Sequence, residues 1–115
     1  MLKKFLIAAA AAMTCAGSAL ALPVLNVGTQ PVFQPFEFVD GRTKQLGGYD
    51  IDLIRAAAKH MGYEIKFAPM GLLIPAVMTG NIDLITSGLT ITPERQKKID
   101  FTRPVYHSSQ VLLVN

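Results

Sequence analysis

The sequence has little of what marks a catalyst. Among its 115 residues there is one cysteine and no tryptophan. A single thiol can form neither an intramolecular disulfide nor a cysteine-based zinc site. The two histidines, His60 and His107, are far apart and share no metal-ligand spacing. His60 falls on the polar side of a helical pattern, where a solvated imidazole is the ordinary reading. No Gly-x-Ser-x-Gly elbow, Walker loop or dinucleotide fingerprint is present. No catalytic residue, metal site or cofactor is therefore expected. The length fits at most one small domain and excludes a large multidomain enzyme within this chain.

Charge of one sign is also scarce. Lysine and arginine number 11 against 8 acids, a net charge of +3. Lys3 and Lys4 supply two of those positive charges, and residues 1–21 hold no acid. Residues 22–115 then carry 9 basic and 8 acidic side chains, a net of +1. A basic face for nucleic acid is not expected.

Residues 1–21 read as a signal peptide. The two lysines precede an apolar run from Phe5 to Met13, and Ala19-Leu20-Ala21 places small residues where signal peptidase needs them. The unbroken run is too short and alanine-rich to span about 30 Å of hydrocarbon as a permanent anchor. Cys15 is preceded by Ala12-Met13-Thr14, a poor lipidation motif. Export with cleavage, to the periplasm, is the expectation.

The remainder alternates strands and helices. Leu25 to Thr29 alternates as a strand, and Gln30-Pro31 breaks it. Phe33, Phe36 and Phe38 follow as a loop leading to turns at Asp40-Gly41 and Gly47-Gly48. Asp50 to Met61 has helical spacing of Ile51, Ile54, Ala58 and Met61, with Asp50 as a cap and Gly62 as a stop. A strand is predicted over Glu64 to Ala68, a short helix over Leu72 to Thr79, and a strand over Ile82 to Thr86. Thr92-Pro93-Glu94 starts a short helix ending near Lys98. Val111 to Val114 reads as a last strand. This order predicts an α/β layer with a mainly parallel sheet.

Ligands of such sheets bind at the carboxyl ends of the strands. There the chain offers Ser87-Gly88-Leu89-Thr90-Ile91-Thr92-Pro93-Glu94-Arg95. Gly88 admits a ligand close to the backbone, Thr90 offers a hydroxyl and an N–H, and Arg95 offers a planar fork for a carboxylate. The same residues also read as a turn, a cap and a surface arginine. Asp50 and Asp52, at i and i+2, do not face one another and read as a cap and a solvated side chain.

Phe36-Glu37-Phe38, Gly48-Tyr49-Asp50-Ile51-Asp52-Leu53, Leu73-Ile74-Pro75-Ala76, Asn81-Ile82-Asp83-Leu84 and Leu89 to Arg95 occur in register, followed by Ile99-Asp100-Phe101-Thr102 and Tyr106. In this series the chain resembles the bacterial solute-binding proteins of family 3, the extracytoplasmic receptors of polar amino-acid ABC importers, and among them the glutamine-binding type. The resemblance implies a type II periplasmic binding protein fold, in which two α/β lobes close on an amino acid and deliver it to an ABC transporter permease in the inner membrane. It implies that Arg95 pairs with the ligand α-carboxylate, that Thr90 adds its hydroxyl and amide, and that the Gly88 carbonyl accepts from the α-ammonium. Phe33 would pack over the ligand, and Ser87 would lie at the pocket edge. Gln30 stands where many members have an acid, which disfavours lysine- or arginine-like ligands. Met70, between Pro69 and Gly71, stands where many members have an aromatic wall, and it fills space without stacking.

Members of the family are longer and have a second lobe. Residues 22–115 are expected to be the N-terminal part of lobe 1, up to the hinge crossover, with weak binding from an isolated half-site. Other readings on the same fold are an enzyme, such as a dehydratase or a lytic transglycosylase-associated domain, and a sensor ectodomain.

Overall fold

The computed structural model describes residues 20–115. Residues 1–19, which make up nearly all of the segment read as a signal and include Cys15, lie outside the described residues. The elements in chain order are β1 (Val24–Thr29), β2 (Val32–Phe33), β3 (Glu37–Val39), β4 (Leu46–Gly47), α1 (Tyr49–Met61), β5 (Glu64–Pro69), α2 (Leu73–Met78), β6 (Leu84–Ile85) and α3 (Pro93–Gln96).

Val27, Gly28 and Thr29 are consecutive and all buried, the burial that a central strand covered on both faces requires. β1 is that strand: it lies between β5 and β6, parallel to both. Its pairing with β5 is continuous from Val24↔Glu64 to Thr29↔Pro69. β6 is short, but bonds on either side of it extend the attachment. Asp83 N donates to the Asn26 carbonyl at 2.8 Å, and Thr86 N donates to the Gly28 carbonyl at 2.9 Å. The Asp83 carboxylate also accepts from Asn26 N at 2.7 Å.

α1 and α2 supply the cover. Leu73 and Ala76 of α2 pack with Ile82, and Ala68, Met70, Val77 and Ile85 close around them. Gly28 lies directly beneath: a Cβ there would collide with Ile82 Cδ1. By strand alternation, Val27 and Thr29 face the other side. Ile51 and Ala58 are the buried apolar positions of α1. Ile51 and Ile82 are 0% and 2% exposed, and each contributes about 2–3 kcal/mol by leaving water.

Phe33 to Phe38, expected as a loop, instead belongs to a second, antiparallel sheet of order β2-β3-β4, with Phe33↔Glu37 and Phe38↔Gly47 as partners. Its strands are two or three residues long, too short for alternation to be visible in sequence. Two further expectations are corrected. Val111 to Val114 forms no strand. Its residues are 80–100% exposed, and an extended segment without a neighbour has no ladder to hold it. Asp50 does not cap α1. The N-cap is Gly48, at φ +121° and without a side-chain cap bond. Only glycine suits that position, because a Cβ would run into the Phe36 carbonyl. Asp50 is buried within the first turn instead, and Asp52 stays exposed, 3.7 Å from Arg55.

Candidate functional site: the loop after the third parallel strand

The segment leaving β6 is held by contacts from three other parts of the chain. Ser87 Oγ accepts from Gln30 N at 3.0 Å, which ties the β6 exit to the β1 exit. The same hydroxyl lies 3.3 Å from Glu37 Oε1, to which it donates. Gly88 N donates to Asp50 Oδ2 at 3.0 Å. Gly88 has φ +52°, and a Cβ there would sit 3.4 Å from both Glu37 Oε1 and Phe33 Cδ1. A left-handed backbone there favours glycine.

The sequence-predicted residues thus meet in two groups. Gln30, Phe33, Ser87 and Gly88 gather where β1, β2 and β6 end. Thr90 and Arg95 pair with each other: Arg95 Nη1 donates to the Thr90 carbonyl at 2.8 Å. Arg95 is positioned from the backbone outward. Thr92 has extended φ/ψ, and its hydroxyl accepts from Arg95 N at 3.3 Å, with Pro93 in the first turn of α3. This is the hydroxyl cap that Thr92-Pro93 announces in sequence.

Met70 stands apart from both groups. It follows β5, donates its N–H to the Thr29 carbonyl at 3.0 Å, and packs against Leu73, Ala76 and Ile82. Phe33 is 54% exposed and stacks on Phe36 with ring centroids 5.3 Å apart. Phe36 in turn meets Tyr106 edge-on at 4.8 Å, and Tyr49 Oη donates to the Val105 carbonyl at 3.2 Å. These contacts attach residues 105–106 to the antiparallel sheet.

Two acids central to this arrangement were not expected there: Glu37 had no assigned role, and Asp50 was expected only as a helix cap. Glu37 is 1% exposed and Asp50 is 5% exposed. Burial, and secondarily the negative charge of Asp50, push the Glu37 carboxyl up to about 7, while the Ser87 hydrogen bond partly opposes the shift. The readable signal was an acid between two phenylalanines in Phe36-Glu37-Phe38.

A mainly apolar groove of about 950 Å³ runs between α1, β6 and residues 98–105, with Leu53, Ile54, Ala57, Leu84 and Phe101 in its walls. Ser87 and Gly88 reach its edge, but Phe33, Thr90 and Arg95 do not line it. A zwitterion needs charged partners at both ends, so the loop, with Arg95 beside it, suits one better than the groove does. Among the described residues, no group of three or more metal-ligating side chains occurs. No helix among them is long and apolar enough to cross a membrane.

The family model of the bacterial extracellular solute-binding proteins, family 3, matches residues 25–115. The chain belongs to this family. A probable histidine-binding protein of Campylobacter jejuni is 42% identical over 91 residues, covering 77% of this chain and 35% of the relative. The ABC transporter arginine-binding protein 1 of Escherichia coli is 36% identical over 114 residues, covering 97% of this chain and 46% of the relative. The chain therefore spans less than half the length of these curated family members. Among solved structures, the arginine-bound form of domain 1 from TmArgBP aligns with a TM-score of 0.68 and 42% identity, covering 72% of this chain and 67% of that one. The parallel sheet with its flanking helices is accordingly part of a periplasmic binding protein fold, and these family members are named as binding proteins rather than enzymes.

Proposed function

We propose that this chain forms the carboxylate-recognising side of an amino-acid receptor that serves an ABC importer. The observation that carries the reading is the Thr90–Arg95 pair beside the left-handed Gly88. A guanidinium has five N–H donors, and Arg95 spends one on the Thr90 carbonyl. The remaining edge of the fork is suited to two parallel bonds with a carboxylate. Thr90 adds its hydroxyl and N–H. The Gly88 N–H is engaged by Asp50, and the Gly88 carbonyl is proposed to accept from the α-ammonium. Phe33 covers the aliphatic part of the ligand, and Ser87 and Gln30 border the pocket, while Met70 packs against the α2 core instead.

The ligand class proposed is a polar α-amino acid. The relatives named for arginine and histidine favour a cationic side chain, against the expectation drawn from Gln30, whose amide oxygen can still accept from a guanidinium or imidazolium. Export through a cleaved signal at residues 1–21, a periplasmic location and delivery to an inner-membrane ABC permease complete the proposal. For residues 22–115 taken on their own, affinity on the order of millimolar is expected.

The test is an amide-shift titration of the chain with L-arginine, L-histidine, L-glutamine and L-leucine. Saturable shifts at Gly88, Thr90 and Arg95 with a polar amino acid, lost in Arg95→Ala, support the reading. Equal responses in the two proteins would refute it.

A further inference from the structure

We propose that the apolar groove beside β6 receives residues 111–114 of a second copy of this chain, so that two copies pair by exchanging these segments as added strands. Thr90 and Arg95 do not line the groove, so this pairing leaves the proposed carboxylate site open and does not depend on the receptor reading.

The groove straddles an open sheet edge. β6 is the last strand in the order β5-β1-β6, and among the described residues its ladder partner is β1 alone. The two covering helices lie on opposite faces of the sheet. Phe67 is in register with Val27 and lies under Arg55 of α1, whereas Gly28 lies under Leu73 of α2. Both helices nevertheless contribute to the one groove, Leu53 and Ile54 from α1 and Val77 and Met78 from α2, with Leu84 of β6 between them. A strand laid along β6 would find backbone partners at the edge and apolar side chains on both of its faces, as β1 does. Leu53, Met61 and Met78, all in the groove's lining, are 40–57% exposed. An unpaired edge flanked by such side chains is a template for another chain.

Val111-Leu112-Leu113-Val114 is the complementary piece. It is wholly apolar, begins and ends in β-branched residues, and is 80–100% exposed. In its own chain it contributes nothing to the groove, whose lining ends at Val105. The polar residues 107–110 separate it from Tyr106, which is held against Phe36, and so provide a tether on which it can cross to a neighbour. Charge does not oppose entry. The run carries none, and in the lining Lys98 and Arg103 balance Asp50 and Asp100.

The area decides in favour of a reciprocal pair. Burying a valine or leucine side chain removes about 60–120 Å² of apolar surface from water. Four such side chains in each of two copies, with a similar area of groove wall, give roughly 1,000–2,000 Å², the size of a specific interface. One segment docked without exchange gives half of that, too little for a stable complex. Mutual exchange also closes the assembly as a two-fold dimer.

The deciding experiment is sedimentation velocity of the full chain over a dilution series, on the wild type and on Leu112→Asp/Leu113→Asp. Both leucines are almost fully exposed in the single copy, so the double variant is expected to keep the wild-type circular dichroism and urea midpoint. The wild type is expected to sediment as a dimer that dissociates on dilution, and the double variant as a monomer throughout. A sample mixed from isotope-labelled and unlabelled wild type is expected to show contacts between Leu112 or Leu113 methyls of one copy and Leu53 or Leu84 methyls of the other. A wild type that is monomeric at every concentration overturns the proposal, as does self-association that persists in the double variant. Methyl contacts confined to a single copy overturn it too, because the run would then fill the groove of its own chain.

Discussion

The two halves of the candidate site are built in opposite ways. Gln30, Glu37, Asp50, Ser87 and Gly88 form an inner half, fastened by hydrogen bonds from three strands and a helix and anchored on two buried acids. Thr90 and Arg95 form an outer half on the surface, where a four-residue helix with no buried residue carries the cation. The inner half fixes a backbone geometry and has little charge to offer a ligand. The outer half carries the recognition chemistry and little of the fold. Shape and affinity should therefore respond to different substitutions.

The largest expected effect is on the inner half. The native chain holds a proton on Glu37 up to about pH 7, whereas the unfolded chain releases it near 4.5. The raised pKa of this acid stabilises the fold fully at low pH, and the contribution is lost as pH rises from about 4.5 through 7. The whole contribution is of order 3 kcal/mol. Urea unfolding at pH 5 and pH 8 should show this fall in the wild type and a flatter profile in Glu37→Gln.

Next comes Arg95→Ala, which should leave urea stability unchanged within about 0.5 kcal/mol. It should cost about 1.5–3 kcal/mol of amino-acid binding, roughly a tenfold to hundredfold loss, read by titration. A loss of stability with no loss of binding would reverse the division between the halves. Gly88→Ala should lower stability by about 1–2 kcal/mol through its left-handed backbone, measured by thermal melting, and should weaken binding as well because it distorts the loop. The smallest effect is that of Thr92→Ala. Loss of the cap should cost about 1 kcal/mol, seen chiefly as faster amide exchange over residues 93–96.

The outer half was the more legible in sequence, and for a physical reason. Caps, first-turn prolines and arginines act within a few residues of one another, so Thr92-Pro93-Glu94-Arg95 reveals its geometry locally. The inner half depends on contacts between residues 38 to 57 positions apart. Asp50, expected as a cap, is taken into the interior because the helix is capped two residues earlier, at Gly48, packed against the Phe36 carbonyl. Glu37 shows in sequence only as an acid interrupting an aromatic alternation. The parallel sheet and its helices followed from periodicity. The short antiparallel sheet did not, because two-residue strands carry no period, and Val111 to Val114 shows that an apolar run alone does not make a strand.

The most direct test of the account compares L-arginine with agmatine, its decarboxylated counterpart, by amide-shift mapping on this chain and on Arg95→Ala. The account expects L-arginine to shift Thr90 and Arg95 in the wild type, agmatine to leave them nearly unmoved, and Arg95→Ala to respond to neither. Equal shifts with agmatine and L-arginine, or an unchanged L-arginine response in Arg95→Ala, would contradict the claim that the outer half reads the α-carboxylate.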